Sequence, residues 1–172
     1  MFRFRERTKA LEALYIIADF EEKSRGKGKL FCKEVISMRK INKIILHCSD
    51  SEIGNAEIIN AWHVERGFKS IGYHYVILKD GTIEKGRPVS EVGAHCKGHN
   101  FDSIGICLIG KNNFTHEAFE SLACILVILL EKYGLGADDI YGHNFFDEGK
   151  TCPNFEVEIV RSGFRKTHIP PN

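Results

Sequence analysis

The sequence lacks three features that would each assign it to a particular class of protein. It has no excess of charge, since 24 Lys and Arg residues oppose 23 Asp and Glu residues, and this argues against a nucleic-acid-binding domain held mainly by bulk positive charge. Its longest apolar run, residues 122–130, is about half of the roughly 20 residues that a membrane-spanning helix needs. None of its six cysteines forms a CxxC pair, which excludes zinc-ribbon and thioredoxin-like motifs.

The N-terminus also lacks the features of a secretory signal. The apolar stretch at residues 10–18 is interrupted by Glu12, and Asp19, Glu21 and Glu22 follow where small residues should form a cleavage site. Nothing in the cysteine pattern demands disulfides, and free thiols are typical of a reducing cytosol. We therefore expect a cytoplasmic, monomeric protein that binds neither nucleic acid nor membrane.

The chain divides into a short extension, one domain and a tail. Residues 7–22 have the apolar spacing of an amphipathic helix, and a charged, glycine-containing linker follows at residues 21–29. Met38 stands before the first core strand, so residues 1–37 are either a helical extension or a segment upstream of an alternative start at Met38. The predicted domain covers residues 38–165, and residues 166–172 form the tail.

The pattern of the domain predicts an α/β fold with a central mixed β-sheet flanked by helices. Apolar and β-branched runs predict strands at residues 41–47, 73–78, 82–86, 104–109 and 139–142. Alternation along the second of these strands predicts Tyr73 and Tyr75 on one face and His74 on the other. Helices are predicted at residues 56–66, 115–133 and 155–161, the second one beginning at Thr115 and ending at Gly134. The run at 104–109 is apolar almost throughout, which indicates a strand covered on both faces.

Five residues could carry chemistry. His47 ends an apolar strand, and His143 and Cys152 lie in the polar segment 141–155. Three nitrogen or sulfur ligands are what a zinc site needs if it keeps its fourth position for water, and Lys150 would favour the Cys152 thiolate. Taken singly, His47 could be a structural histidine, Cys152 a loop thiol and Tyr73 an ordinary core aromatic residue.

Taken together, these residues lie in segments that resemble the zinc amidases, a family that includes phage N-acetylmuramoyl-L-alanine amidases and peptidoglycan recognition proteins. The order and spacing of the matching segments fit that family throughout residues 41–155, and the phage enzymes more than the animal proteins. The segments are IILHCSDS (44–51), IINAWHVERGF (58–68), IGYHYVILKDGTIEKGRP (71–88), VGAHCKGHNFDSIGICLIG (92–110) and YGHNFFDEGKTCPNF (141–155).

The resemblance implies a peptidoglycan recognition protein-like fold and an enzyme that cleaves the amide bond between N-acetylmuramic acid and L-alanine in peptidoglycan. It implies Zn²⁺ as the cofactor, with His47, His143 and Cys152 as ligands. Two further residues match catalytic positions, Tyr73 near the attacking water and Lys150 near the oxyanion. The resemblance also places His95, His99 and Asn100 in the substrate groove.

Two alternative functions remain open at this stage. Members of the family that lose a catalytic residue bind peptidoglycan without cutting it, and some phage amidases of this type also restrain an RNA polymerase. All five expected positions are filled in this chain, which favours the enzyme, and nothing in the sequence supports the polymerase role directly. An enzyme of the endolysin kind would stay in the cytoplasm until it is released to the cell wall.

Overall fold

The structure is a computed structural model that describes residues 39–165. The predicted helix within residues 1–37, the alternative start at Met38 and the tail at 166–172 lie outside the described residues. The described elements are β1 (Lys43–Cys48), α1 (Ala56–Glu65), β2 (Tyr75–Ile77), β3 (Ile83–Lys85), β4 (Ser103–Leu108), α2 (His116–Tyr133), β5 (Ile140–Gly142) and α3 (Val157–Arg165), with 3₁₀ turns at Ala137–Asp139 and His143–Phe145.

The five strands form one mixed sheet in the order β3-β2-β4-β1-β5. Strand β1 pairs in parallel with both β4 and β5, and β2 pairs in parallel with β4. Only β3 runs antiparallel, as the return strand of a hairpin in which Gly81 adopts a positive φ of 86°. The mixed sheet flanked by helices that the sequence predicts is therefore confirmed.

Helix α2 covers one face of the sheet. Its first turn is capped by Thr115, whose side chain accepts from the Ala118 N–H, and Gly134 ends it in the left-handed conformation. The apolar face of α2 packs on alternate residues of β1 and β4, and every residue of β4 is buried. These observations agree with the predicted helix and with the predicted two-sided burial of β4.

Helix α1 covers part of the opposite face with a smaller apolar cluster. Asn55 caps this helix by accepting from the Ile58 N–H, and the chain leaves it through Gly67 at a positive φ of 87°. The cluster beneath α1 is small, and it comprises Ile59, Ile71, Val76, Cys107 and Ile109. Because this face is only partly covered, polar side chains can gather on it at the carboxyl ends of the parallel strands.

One local expectation about the sheet was wrong. Strict alternation from residue 73 would place Tyr73 and Tyr75 on the same face, but strand pairing begins at Tyr75. Tyr75 belongs to the large cluster under α2, whereas Tyr73 packs against the small cluster under α1.

Within residues 39–165, no helix has the length and apolar character needed to cross a lipid bilayer.

Candidate active site

Three side chains with metal-binding atoms meet at the carboxyl end of β1. One ligand atom from each of His47, His143 and Cys152 lies within 4.8 Å of the others. Nδ1 of His47 is 3.7 Å from Sγ of Cys152, across 105 positions of the chain, and the rings of His47 and His143 have centroids 4.7 Å apart. The fold thus brings together the three residues predicted as ligands.

The parallel pairing of β1 with β5 places the two histidines side by side. Leu46 lies opposite Gly142 in the register of these strands, so the residues that follow, His47 and His143, lie side by side at the carboxyl ends of β1 and β5. In α/β sheets this edge is the usual place for ligand-binding side chains. The position of His143 is therefore a consequence of strand register.

Cys152 is carried to this edge by a turn that folds back on itself. The Asn144 N–H donates to the Cys152 carbonyl over 2.8 Å, and the Cys48 N–H donates to Sγ of Cys152 over 3.3 Å. A Cβ atom at Gly142 would lie 2.4 Å from Oδ1 of Asn144 and 2.9 Å from Cδ of Pro153. Only glycine at 142 permits this close approach without displacing the turn.

Both histidines of the trio are held in the neutral form. Burial lowers the pKa of His47 well below its usual value, with the neighbouring His95 and His143 adding to the effect. Burial also lowers the pKa of His143, an effect that Asp147 opposes and Lys150 reinforces. Neutral imidazoles offer a lone pair at neutral pH, which is what a metal ligand requires.

The thiol of Cys152 shares a hydrogen bond with the thiol of Cys48. This bond lowers the pKa of Cys48 to about 7, and the same bond together with burial raises the pKa of Cys152. The two sulfurs titrate as one unit, so the pair loses its first proton readily and its second with difficulty. The pair can therefore carry one negative charge, but not two, beside the two neutral imidazoles.

Tyr73 lies directly against the trio. Its ring centroid is 5.0 Å from that of His47 and 5.4 Å from that of His63. Burial raises the pKa of Tyr73 well above its usual value, and the nearby cysteines add to this shift. Its hydroxyl thus stays protonated across the range in which proteins are ordinarily assayed, so it can donate a hydrogen bond.

Lys150 lies on the rim of an open cleft that leads to the trio. The cleft has a volume of about 990 Å³, a size typical of ligand sites. Lys150 is exposed, and its backbone N–H donates to the Asp147 carbonyl in a tight turn. The ammonium group is close enough to His143 to affect its pKa, so a cation stands beside the candidate metal site.

The three residues predicted for the substrate groove lie together behind His47. His95 is buried, and its Nδ1 is 3.1 Å from Nε2 of His47. Oδ1 of Asn100 accepts from the backbone N–H groups of His95 and Cys96 over 2.8 and 2.9 Å. The ring of His99 packs on Phe146 with centroids 4.1 Å apart. His95 also reaches the cleft wall, and the assignment of these three residues to substrate binding stays a prediction.

Some residues of the site were not singled out from the sequence. Trp62 and Arg66 line the cleft; Trp62 lies in the last turn of α1, and Arg66 is the residue that directly follows the helix. Nδ1 of His63, on the same helix, accepts from the Gly72 N–H over 2.9 Å and so fixes the approach to Tyr73. The spacing of Trp62 and Arg66, four residues apart on a helix, places them on one face and was the available signal.

Comparison of the sequence with known families and proteins identifies relatives over most of this domain. Residues 37–155 match the profile of the family described as N-acetylmuramoyl-L-alanine amidase. The endolysin of Escherichia phage T7 is 40% identical over 127 residues, which cover 67% of this chain and 82% of that protein.

Solved structures with a similar fold come from two different sources. The N-acetylmuramoyl-L-alanine amidase LysC from Clostridium intestinale superposes with a TM-score of 0.70 at 29% identity, covering 81% of this chain and 95% of that one. Drosophila PGRP-LB superposes with a TM-score of 0.63 at 24% identity, covering 77% and 86% respectively. The second similarity concerns the fold alone.

Proposed function

The chain belongs to the N-acetylmuramoyl-L-alanine amidase family and is an enzyme of that type, and we propose that it is a zinc-dependent peptidoglycan hydrolase. Its reaction in this proposal is hydrolysis of the amide bond between N-acetylmuramic acid and L-alanine. The protein would act as an endolysin does, on the cell wall after release from the cytoplasm. The observation that carries the zinc dependence is the convergence of His47, His143 and Cys152.

The donor set fits zinc in kind, and the distance between two of its donors fits a tetrahedral site. Two imidazole nitrogens and one thiolate are ligands that zinc prefers, and three protein ligands leave the fourth position open, as in catalytic sites. Ligand atoms around a tetrahedral zinc are separated by roughly 3.3–3.8 Å, given the usual zinc–nitrogen and zinc–sulfur bond lengths. The 3.7 Å between His47 Nδ1 and Cys152 Sγ already agrees with this value.

The residues around the trio have separate tasks in the proposed reaction. The chemistry that zinc supplies in such a site is Lewis acidity, which polarises a carbonyl group and makes water a better nucleophile. The hydroxyl of Tyr73, kept protonated by burial, orients the attacking water by a hydrogen bond. The ammonium group of Lys150, on the cleft rim, stabilises the negative charge that develops on the lactyl carbonyl oxygen.

The leaving group completes the reaction without a covalent enzyme intermediate. As the tetrahedral carbon collapses, the carbon–nitrogen bond breaks, and the amine of L-alanine takes up the proton that the attacking water has lost. No serine or cysteine nucleophile is needed, and Cys48, whose N–H and thiol both contact Cys152, has no place in the bond-breaking step. The open cleft can admit a polymer, which agrees with a glycan strand bearing stem peptides.

Metal content and wall hydrolysis test the proposal together. We expect about one zinc per chain, release of stem peptides from purified cell walls, loss of that release with a chelator and recovery when zinc is restored. Cys152→Ala should lose both zinc and activity. Cys48→Ala is the matched control, because it removes the neighbouring thiol and leaves all three ligands in place.

Two outcomes would contradict the proposal in different ways. Zinc-loaded protein that binds the walls but releases no peptides would indicate a binding module instead of an enzyme. If Cys152→Ala released peptides at the wild-type rate and contained as much zinc as the wild type, the metal, if required, would be held elsewhere.

A further inference from the structure

His95 stands directly behind His47, on the side away from Cys152. Nε2 of His47 lies 3.1 Å from Nδ1 of His95, while Nδ1 of His47 faces Sγ of Cys152 at 3.7 Å. The two rings meet nearly edge to face, with an angle of 80° between their planes. Each nitrogen of the His47 ring therefore has its own neighbour, and only Nδ1 faces the other ligands.

The second ring nitrogen of His95, Nε2, contacts a buried hydroxyl group in the protein interior. Nε2 of His95 lies 3.3 Å from Oγ of Ser103, and this hydroxyl donates to the backbone carbonyl of His99 over 2.6 Å. Ser103 and His95 are 0% and 8% exposed, so water does not compete for these bonds. The chain of contacts ends at a carbonyl oxygen, which can only accept.

Because the His99 carbonyl can only accept, it determines which atom donates in each hydrogen bond between Ser103, His95 and His47. The one hydroxyl proton of Ser103 goes to the His99 carbonyl, so Oγ can only accept from His95. Nε2 of His95 then carries the proton, and its Nδ1 accepts from Nε2–H of His47.

Two glycines fix the His95 ring in this orientation. A Cβ atom at Gly93 or at Gly105 would lie 2.5 Å from a carbon of the ring. Any residue larger than glycine at either position would therefore collide with the ring. The Asn100 side chain holds the backbone N–H of His95 at 2.8 Å. The ring is therefore packed closely against two backbone segments and is also held through its own backbone, so it cannot turn over without displacing its neighbours.

We propose that His95 is a positioning residue for the metal ligand His47: it accepts the Nε2 proton of His47 and so leaves the Nδ1 lone pair directed at the metal position. The bond chain from His47 through His95 and Ser103 to the His99 carbonyl selects one tautomer for both rings. This inference rests on the proposed zinc dependence. It assigns His95 a role that a side chain devoted to substrate would not have.

Two replacements of His95, one that keeps a hydrogen-bond acceptor near the position of Nδ1 and one that removes it, test the role. His95→Asn places an amide oxygen close to the position of Nδ1 and can still accept from His47, whereas His95→Leu fills the same space without an acceptor. We expect His95→Leu to weaken zinc binding by about 10–100-fold, as is typical when the partner of a metal-bound histidine is removed. His95→Asn should stay within about threefold of wild type, since the acceptor is retained.

Zinc affinity is measured by competition with a chromophoric chelator, and the thermal unfolding of the metal-free variants shows whether they are folded. Equal affinity for His95→Leu and wild type would overturn the positioning role. Wild-type protein that binds no zinc would instead overturn the proposed function, so the two failures are distinguishable.

The nitrogen NMR signals of the zinc-loaded wild-type protein provide a test that needs no variant. The chain of bonds requires a proton on Nε2 of both His47 and His95, and none on Nδ1 of His95. One-bond and two-bond nitrogen–proton couplings report these positions for each ring. A proton on Nδ1 of His95 would contradict the proposal even if every variant failed to fold.

Discussion

The backbone N–H of Cys48 donates to Sγ of Cys152 over 3.3 Å, across 104 positions of the chain. Cys48 directly follows His47, so the strand that presents one ligand also holds the sulfur of another. This bond by itself lowers the pKa of Cys152, although the Cys48 thiol and burial raise that pKa overall. The candidate metal site is therefore arranged by contacts of the protein itself, and its geometry depends on how tightly the turn carrying Cys152 packs against β1.

Gly142→Ala should disturb this packing. The added Cβ would lie 2.4 Å from Oδ1 of Asn144 and 2.9 Å from Cδ of Pro153, so the turn that bears His143 and Cys152 must shift. We expect a loss of about 1–3 kcal/mol in unfolding free energy, as overpacking in buried sites typically gives, together with weaker zinc binding. Urea unfolding and chelator competition measure the two effects.

Gly163→Ala is the matched control for that change. A Cβ atom at Gly163 meets nothing within 4 Å, and the residue lies within α3. Alanine is favoured over glycine in helices by up to about 1 kcal/mol, so this variant should be as stable as the wild type or slightly more so. If both alanine variants behaved alike, crowding at Gly142 would not be the cause of the loss.

Lys150→Ala should separate zinc binding from catalysis. The ammonium group lies on the cleft rim and is not among the three ligand residues, so the variant should keep its zinc. Loss of one group that stabilises the oxyanion should slow peptide release by roughly 100-fold or more. Lys132→Ala makes the same charge change on α2, which covers the opposite face of the sheet, and its rate should match wild type.

Tyr73→Phe should also retain zinc and lose rate. The ring keeps its packing against His47, and only the hydroxyl that orients the water is removed. We expect peptide release to fall by about 100-fold, at the lower end of what positioned proton donors and acceptors contribute. Tyr75→Phe is the control, because it removes a hydroxyl from the large cluster under α2 instead, and its rate should match wild type. Full activity of Tyr73→Phe would contradict the role assigned to the Tyr73 hydroxyl.

The parts of the fold that follow local rules were predictable from the sequence. Helix α2 lies between a capping Thr115 and a left-handed Gly134, both of which have strong residue preferences. Strand β4 was recognised from its continuous apolar run, which only a strand covered on both faces can bury. The ligand trio was recognised from the order of segments in a family, since no single residue of the three was distinctive alone.

Contacts that depend on register between distant segments could not be predicted. The bond from Cys48 to Cys152 and the contact of His47 with His95 join residues 104 and 48 positions apart, and no local pattern encodes either. Tyr73 was assigned to the wrong face because alternation holds only inside a strand, and pairing starts two residues later, at Tyr75. Tyr73, to which we assign a catalytic role in our proposal, thus lies just outside the paired strand, where alternation no longer applies.

The buried residue His74 should make the stability of the domain depend on pH. It is 1% exposed, its Nδ1 accepts from the Gly105 N–H, and its Nε2 lies 3.2 Å from the Glu91 carbonyl. Burial lowers the pKa of His74 to about 4, with the Glu91 contact opposing the shift and the Arg39 guanidinium adding to it. The unfolded chain has the ordinary histidine pKa of about 6.5 and so takes up the proton first as pH falls.

The contribution of His74 is therefore fully present above pH 6.5 and is lost between about pH 6.5 and pH 4. At pH 5 the loss due to His74 should be about 2 kcal/mol, measured as the difference between wild type and His74→Asn in urea unfolding of the metal-free protein, because other buried histidines such as His47 and His143 also take up protons as pH falls. His74→Asn retains an acceptor for the Gly105 N–H and does not titrate, so its stability should fall less over this range. His116→Asn, at an exposed position on α2, should follow the wild-type profile; equal slopes for His74→Asn and wild type would exclude His74 as the cause.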